Sequence, residues 1–184
     1  MTSLAALPAT AAWLHRDARA GFEVAYFEPI EGGHRIEGYT TAVEDGRTWF
    51  VAYDIAVDSA WRTRKARVTG RSAAGSGHWQ VDGEPASHLD GCLDVDLESS
   101  AMTNTFPVHR TSLPIGARVA APAAYVRATD LSVERLEQEY LRAPDRGTGR
   151  CFDYAAPAFD FSCRLVYDAA GLVLDYPGIA SRMA

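Results

Sequence analysis

The stretch TWFVAYDIAV (residues 48–57) alternates without a break: Val51, Tyr53, Ile55 and Val57 fall on one side, Ala52, Asp54 and Ala56 on the other. Successive side chains of an extended chain point to opposite faces, so this pattern predicts a half-buried β-strand. Just upstream, Asp45-Gly46 is a two-residue turn signal. It predicts a hairpin joining this strand to another near residues 36–42. Further out the period recurs. Leu93, Val95 and Leu97 alternate with Cys92, Asp94, Asp96 and Glu98, and Phe159, Phe161, Cys163, Leu165 and Tyr167 alternate with Asp160, Ser162, Arg164 and Val166. Turn signals also sit at Asp82-Gly83, Asp90-Gly91 and Gly32-Gly33, and nine prolines punctuate the chain. Short strands with a turn every ten residues or so predict an all-β sandwich or barrel.

One segment departs from this period. Across residues 130–141, Leu131, Val133, Leu136, Tyr140 and Leu141 roughly follow a 3–4 spacing with charges between them, which favours a helix. A strand with one bulge would instead put Leu136, Gln138 and Tyr140 on one face. RSAAGSG (71–77) and PDRGTGR (144–150) read as mobile loops. There is no repeat, low-complexity tract or linker. Residues 1–12 are expected to form a flexible tail and residues 13–184 a single domain.

At 184 residues the chain buries roughly 70% of its unfolded surface and can fold alone. Its 18 basic and 24 acidic residues give a net charge of −6, so a general phosphate-binding surface is not expected and nucleic acid is excluded as a partner. With 47% hydrophobic and 23% charged residues the composition is that of a globular protein. The longest weakly apolar stretch, 119–126, is broken by Pro122 and falls far short of the ~20 residues of a membrane helix. The N-terminal apolar run has no preceding positive charge and is cut by Pro8, so export is not expected. Cys92, Cys151 and Cys163 make an odd set without CxxC spacing. Together these features predict a cytoplasmic protein.

Two clusters carry potential chemistry. In WRTRKAR (61–67), read as a strand, Arg62 and Arg64 share one face beside Trp61; guanidiniums fork onto carboxylates, phosphates or sugar hydroxyls, and an indole stacks on a sugar ring. A solvated strand that blunts a sheet edge accounts for the same pattern. In LDGCLDVDL (89–97), Asp94 and Asp96 share a face, which suits acid–base chemistry, a hard cation or a row of hydroxyls, or merely an outward acidic face. The two faces are complementary, and an Arg64–Asp94 pair inside a small barrel would form a polar network at a cavity. No GxSxG, HExxH, phosphate-loop or dinucleotide motif is present, and Cys92, Asp94, Asp96 and His109 match no metal-ligand spacing. No cofactor is expected.

LDGCLDVDL (89–97), TNTFPVHR (103–110), LEQEYLR (136–142) and GLVLDYPG (171–178), in that order and preceded by WRTR (61–64), resemble the bacterial "putative glycolipid-binding" family, formerly a domain of unknown function. The likeness runs from about Trp13 to the C-terminus. It implies a single-domain, mainly β, curled or closed antiparallel "spouted" barrel with little helix, similar in outline to lipoprotein carriers. It also implies that LEQEY is a strand, which assigns residues 136–140 to the barrel. The chain departs from the family pattern at residues 99–102 and at Phe106 and His109, which bears on ligand choice.

Taken together, these lines predict a non-enzymatic binder of a lipid or glycolipid in a barrel cavity. Arg62, Arg64, Asp94, Asp96, Asn104 and Arg110 form its polar cluster, and Trp61 and Tyr140 its walls. Asn104 equally suits an Asx turn. The alternatives are an enzyme using Asp94 and Asp96 on a sugar, their Cα atoms ~7 Å apart, and a protein-interaction module; a homodimer fits the last.

Overall fold

The computed structural model describes residues 4–82 and 91–183. The hairpin predicted first is present. β3 (Gly33–Glu44) pairs with β4 (Arg47–Asp58) in unbroken antiparallel register from Gly33↔Asp58 to Glu44↔Arg47. Asp45 (φ 49°) and Gly46 (φ 72°) make the turn, and positive φ at both central residues matches the right-handed twist of the flanking strands. Val51, Tyr53, Ile55 and Val57 are all buried.

This hairpin lies within a 12-stranded antiparallel sheet. Its order is β6-β5-β4-β3-β2-β1-β15-β14-β13-β12-β11-β8, with β1 at Thr10–His15, β2 at Ala20–Ile30, β5 at Thr63–Ser72, β6 at Gly75–Asp82 and β8 at Arg118–Ala120. The C-terminal half supplies β11 (Glu139–Arg146), β12 (Gly149–Ala156), β13 (Phe161–Tyr167), β14 (Val173–Tyr176) and β15 (Ala180–Arg182). A second sheet has three strands in the order β10-β9-β7: β10 (Val133–Leu136) is antiparallel to β9 (Ala123–Val126), and β7 (Asp94–Leu97) is parallel to it. Among the described residues no ladder joins β6 to β8, so the large sheet is open in its hydrogen bonding and a closed barrel is not formed.

The sheet nevertheless bends around one segment. Residues 100–110 comprise a 3-10 turn (Met102–Asn104) and the helix α1 (Thr105–Arg110). Glu23 on β2 accepts hydrogen bonds from the Ser100 hydroxyl and from the Ala101 N–H (2.8 Å). Asn104, four residues on, accepts from the hydroxyls of Tyr140 on β11 (2.8 Å) and Tyr167 on β13 (3.1 Å). In a flat sheet β2 and β11, six strand spacings apart, would be separated by about 29 Å. Residues 100–104, partly 3-10 at about 2 Å per residue, do not span that distance. The inner faces of the two halves therefore close on this segment as on a plug, and Phe106 and Met102 are wholly buried there.

Several expectations are corrected. Thr10, Ala11 and Ala12, placed in the tail, open β1, where Ala11 is buried and Thr10 pairs with Tyr26. RSAAGSG and PDRGTGR are tight hairpins, closed at Ser72↔Gly75 and Arg146↔Gly149. Residues 130–141 are neither one helix nor one strand: Leu136 ends β10 in the small sheet, whereas Tyr140 lies on β11 in the large one. Leu89, Asp90 and Gly83, which entered the turn and motif readings, lie outside the described residues.

Candidate functional site

β7 brings the two aspartates inside, and all four of its residues are buried. The Thr63 hydroxyl accepts from the Val95 N–H (3.3 Å), and Thr103 accepts from the Leu97 N–H (3.2 Å) while donating to Asp96 Oδ1 (2.9 Å). Asp94 and Asp96 share a face but have different surroundings. Asp94 Oδ1 is paired with the Arg110 guanidinium, delivered by the last turn of α1. Asp96 has the Thr103 hydroxyl as its hydrogen-bond donor and, among the described residues, no ion-pair partner. Burial pushes both carboxyls up; that of Asp96 rises to about 6, with the charges of Asp94 and Glu98 adding to the effect.

Asp96 lines a cavity of about 210 Å³ together with Asn104 and the rings of Tyr125, Tyr154, Phe161 and Tyr176. The rings contact one another: Tyr154 is edge-on to Tyr176 (6.0 Å between centroids), and Phe161 is tilted against both, at 6.3 Å and 6.1 Å. Burial raises the phenols of Tyr125, Tyr154 and Tyr176, so they stay neutral. Tyr140 stands one layer behind, edge-on to Tyr154 at 5.2 Å, and its hydroxyl fixes the Asn104 amide from the rear. Asn104 is thus held by a tyrosine on another strand, and its side chain caps no turn.

The predicted cluster divides. Asp96 and Asn104 meet at this cavity, with Tyr140 behind them and the Asp94–Arg110 pair close by on the same strand face. Trp61, Arg62 and Arg64 are not there. β5 carries a bulge at Arg64, since Val57 pairs with Thr63 but Ala56 with Lys65. The extra residue leaves Thr63 and Ala66 facing inward and turns Arg64 out. The expected Arg64–Asp94 pair is therefore absent: Arg64 binds Asp58 (2.7 Å) with 41% of its side chain exposed. Arg62 is exposed and meets Asp58 through its main chain, its N–H donating to the carboxylate (2.9 Å) and its carbonyl accepting the Asp58 N–H (3.0 Å). Trp61 sits in a turn (φ 58°) between two imidazoles, with His109 at 3.8 Å and His34 at 5.0 Å between centroids. Burial lowers both of these histidines, His109 to about 4, so Trp61 lies in a neutral stack.

Two residues of the site went unread in the sequence. Glu23, fully buried, ties the plug to β2 and receives the Tyr53 hydroxyl (2.6 Å). Its signal was an acid in phase with Ala25 and Phe27 on the inner face of β2. Arg19 also lines the cavity, held by the Glu98 carbonyl (3.0 Å), by Glu44 (3.5 Å) and over the Trp49 ring.

A larger recess of about 610 Å³ is walled by Val108, Leu113, Ile115, Phe152 and Arg142. Of the two arginines that line it, Arg142 and Arg150, the first is bound to Asp145 and to the carbonyls of Ala143 and Cys151. Among the described residues no group of three or more His, Cys, Asp or Glu side chains is placed to hold a metal, and no helix is long and apolar enough to cross a membrane.

A long antiparallel sheet folded over an internal polar segment, with an aromatic cavity at its side, defines an all-β protein. The chain belongs to the family described as "Putative glycolipid-binding", whose model matches residues 10–182. It is similar in fold to a crystal structure of a DUF1089 family protein from Pseudomonas aeruginosa, with a TM-score of 0.69 and 25% identity, over 100% of this chain and 97% of that one. No curated protein matches it.

Proposed function

We propose that the protein binds an amphiphile by seating its ring-shaped head group in the aromatic cavity, with the sheet and its plug as the spouted barrel of the family resemblance. The observation that carries this reading is a buried carboxylate, without an ion-pair partner among the described residues, on the wall of a cavity that also presents the rings of Tyr125, Tyr154, Phe159, Phe161 and Tyr176. The size agrees: a 150 Å³ cavity takes up benzene, so about 210 Å³ admits one six-membered ring. Aromatic faces cover the C–H side of a sugar, while Asp96 and Asn104 take its hydroxyls. Binding is favoured over carboxylate-dependent hydrolysis because Asp94 carries Arg110 and does not line the cavity, while the other acid on the cavity wall, Glu98, is tied to the Ala128 N–H (2.7 Å) and Arg127 (3.7 Å).

Native mass spectrometry of protein purified from its host, followed by organic extraction and by addition of octyl glucoside, tests this. A bound amphiphile, or a stoichiometric adduct with octyl glucoside that Tyr154→Ala weakens, is expected. A clean apo mass with no adduct would overturn the reading.

A further inference from the structure

The other buried acids of the described residues have a cation or more donors. Asp94 has Arg110 on Oδ1, although its Oδ2 receives no hydrogen bond, and Glu23 has three neutral donors: the Tyr53 and Ser100 hydroxyls and the Ala101 N–H. The partly buried Glu98 has Arg127 at 3.7 Å and the Ala128 N–H at 2.7 Å. Asp96 is 6% exposed and receives one hydroxyl. A carboxylate taken out of water with so little in return is costly unless another charge arrives to meet it.

The cations nearest the cavity are committed elsewhere. Arg19 is stacked on Trp49 and bound to Glu98 and Glu44, although its Nε makes no hydrogen bond. Arg127 is bound to Glu134 (2.6 Å) and lies over the rings of Tyr125 and Phe159, at 5.2 Å and 5.4 Å. What remains is a small cavity in which aromatic rings, each with a negative quadrupole on its face, stand beside two acids, Asp96 and Glu98, of which Glu98 is tied to Arg127 and the Ala128 N–H. Such a box suits an organic cation.

Resting on the cavity reading above, we infer that the head group carries an ammonium, which sits against Asp96 within the aromatic walls; among ring-sized ligands this is an amino sugar. The amine supplies the counter-ion that the fold withholds from Asp96, and the rings contribute cation–π attraction in a site with little water. Because Asp96 titrates near 6, the arrangement is charged and competent at neutral pH and is lost under mild acid. Asp94 and Glu98 are the acids that raise that titration, and Arg19 and Arg127 are the basic groups around the cavity.

Three probes of one ring and three charges test this by isothermal calorimetry: glucosamine, glucose and glucuronate. At about pH 7, glucosamine is expected to bind at least ~10-fold more tightly than glucose, the worth of one modest ion pair. Glucuronate is expected to be weakest. Asp96→Asn should erase the preference, bringing glucosamine down to the affinity that the variant shows for glucose. Should Asp96→Asn fail to fold, wild type at about pH 5 serves instead: glucosamine affinity should drop by more than glucose affinity does. Equal binding of glucosamine and glucose would overturn the ammonium and leave the cavity reading standing. Tightest binding of glucuronate would overturn it in favour of Arg19, and no binding by any probe would remove both.

Discussion

Asp94 and Asp96 stand two residues apart on one buried face, and one has a counter-ion while the other does not. Their alternation was legible in the sequence, but the partner was not. Arg64 was chosen because it sat on a strand with a second arginine, whereas the side chain that arrives is Arg110, carried in by a helix to which the sequence reading assigned no element. Arg110→Met is therefore expected to cost about 3–5 kcal/mol, since it strands a buried carboxylate, and Asp94→Leu in the same chain should restore part of the loss. Arg64→Met, at an exposed pair, should cost ~1 kcal/mol or less. Denaturant melts of the four proteins decide; equal small effects would contradict the buried pair. Asp96 makes a second prediction. Its folded pKa, about 6, lies above the ordinary 3.8, so the folded state holds that proton more tightly than the unfolded one. Its contribution to stability is full below about pH 4 and is lost as pH rises through 6, a change on the order of 3 kcal/mol. The lowered His15 and His109 act in the opposite sense, losing stability as pH falls from 6.5 toward 4. The comparison must therefore be wild type against Asp96→Asn: the variant should gain relative stability between about pH 4 and 7, and a constant difference across that window would contradict the assignment.

The β3–β4 hairpin was readable because every local signal agreed: period two, β-branched and aromatic residues, and Asp45-Gly46 at the turn. The bulge at Arg64 was not readable, because one extra residue reverses the inward face without changing composition. Nor did the pattern of residues 130–141 reveal that its two halves join different sheets, since periodicity reports a face and says nothing of which neighbour it meets. Gly38 shows how closely two of these strands are coupled. It pairs with Tyr53 across the ladder, and a Cβ there would lie 1.9 Å from that ring. The ring lies over the bare backbone, and its hydroxyl thereby reaches Glu23. Gly38→Ala is expected to displace Tyr53 and cost about 1–3 kcal/mol by overpacking, read as a lowered denaturation midpoint. An unchanged midpoint would show that the ring has room to move.

At the scale of the molecule, the all-β class and the antiparallel pairing were legible, and the plug was not. A buried segment of Ser, Thr and Asn resembles a loop until strands from both halves of the sheet are seen to hydrogen-bond to it. Phe106 is its apolar anchor, fully buried, and Phe106→Ala should cost about 3–5 kcal/mol, measured by urea unfolding. A loss below ~1 kcal/mol would mean that the sheet holds without its plug. The protein also shows exposed Tyr26 and Tyr39 on the outer face of β2 and β3, beside exposed Phe22. Aromatic rings are thus offered both inside and outside. Of the 8 tyrosines, Tyr125, Tyr154 and Tyr176 line the cavity. The most direct measurement is an NMR titration of protein carrying 13C-labelled tyrosine rings, with glucosamine and then with octyl glucoside. The account predicts saturable shifts at Tyr125, Tyr154 and Tyr176 with Tyr26 and Tyr39 unmoved. Shifts confined to Tyr26 and Tyr39 would contradict it and place the binding surface on the outside of the sheet.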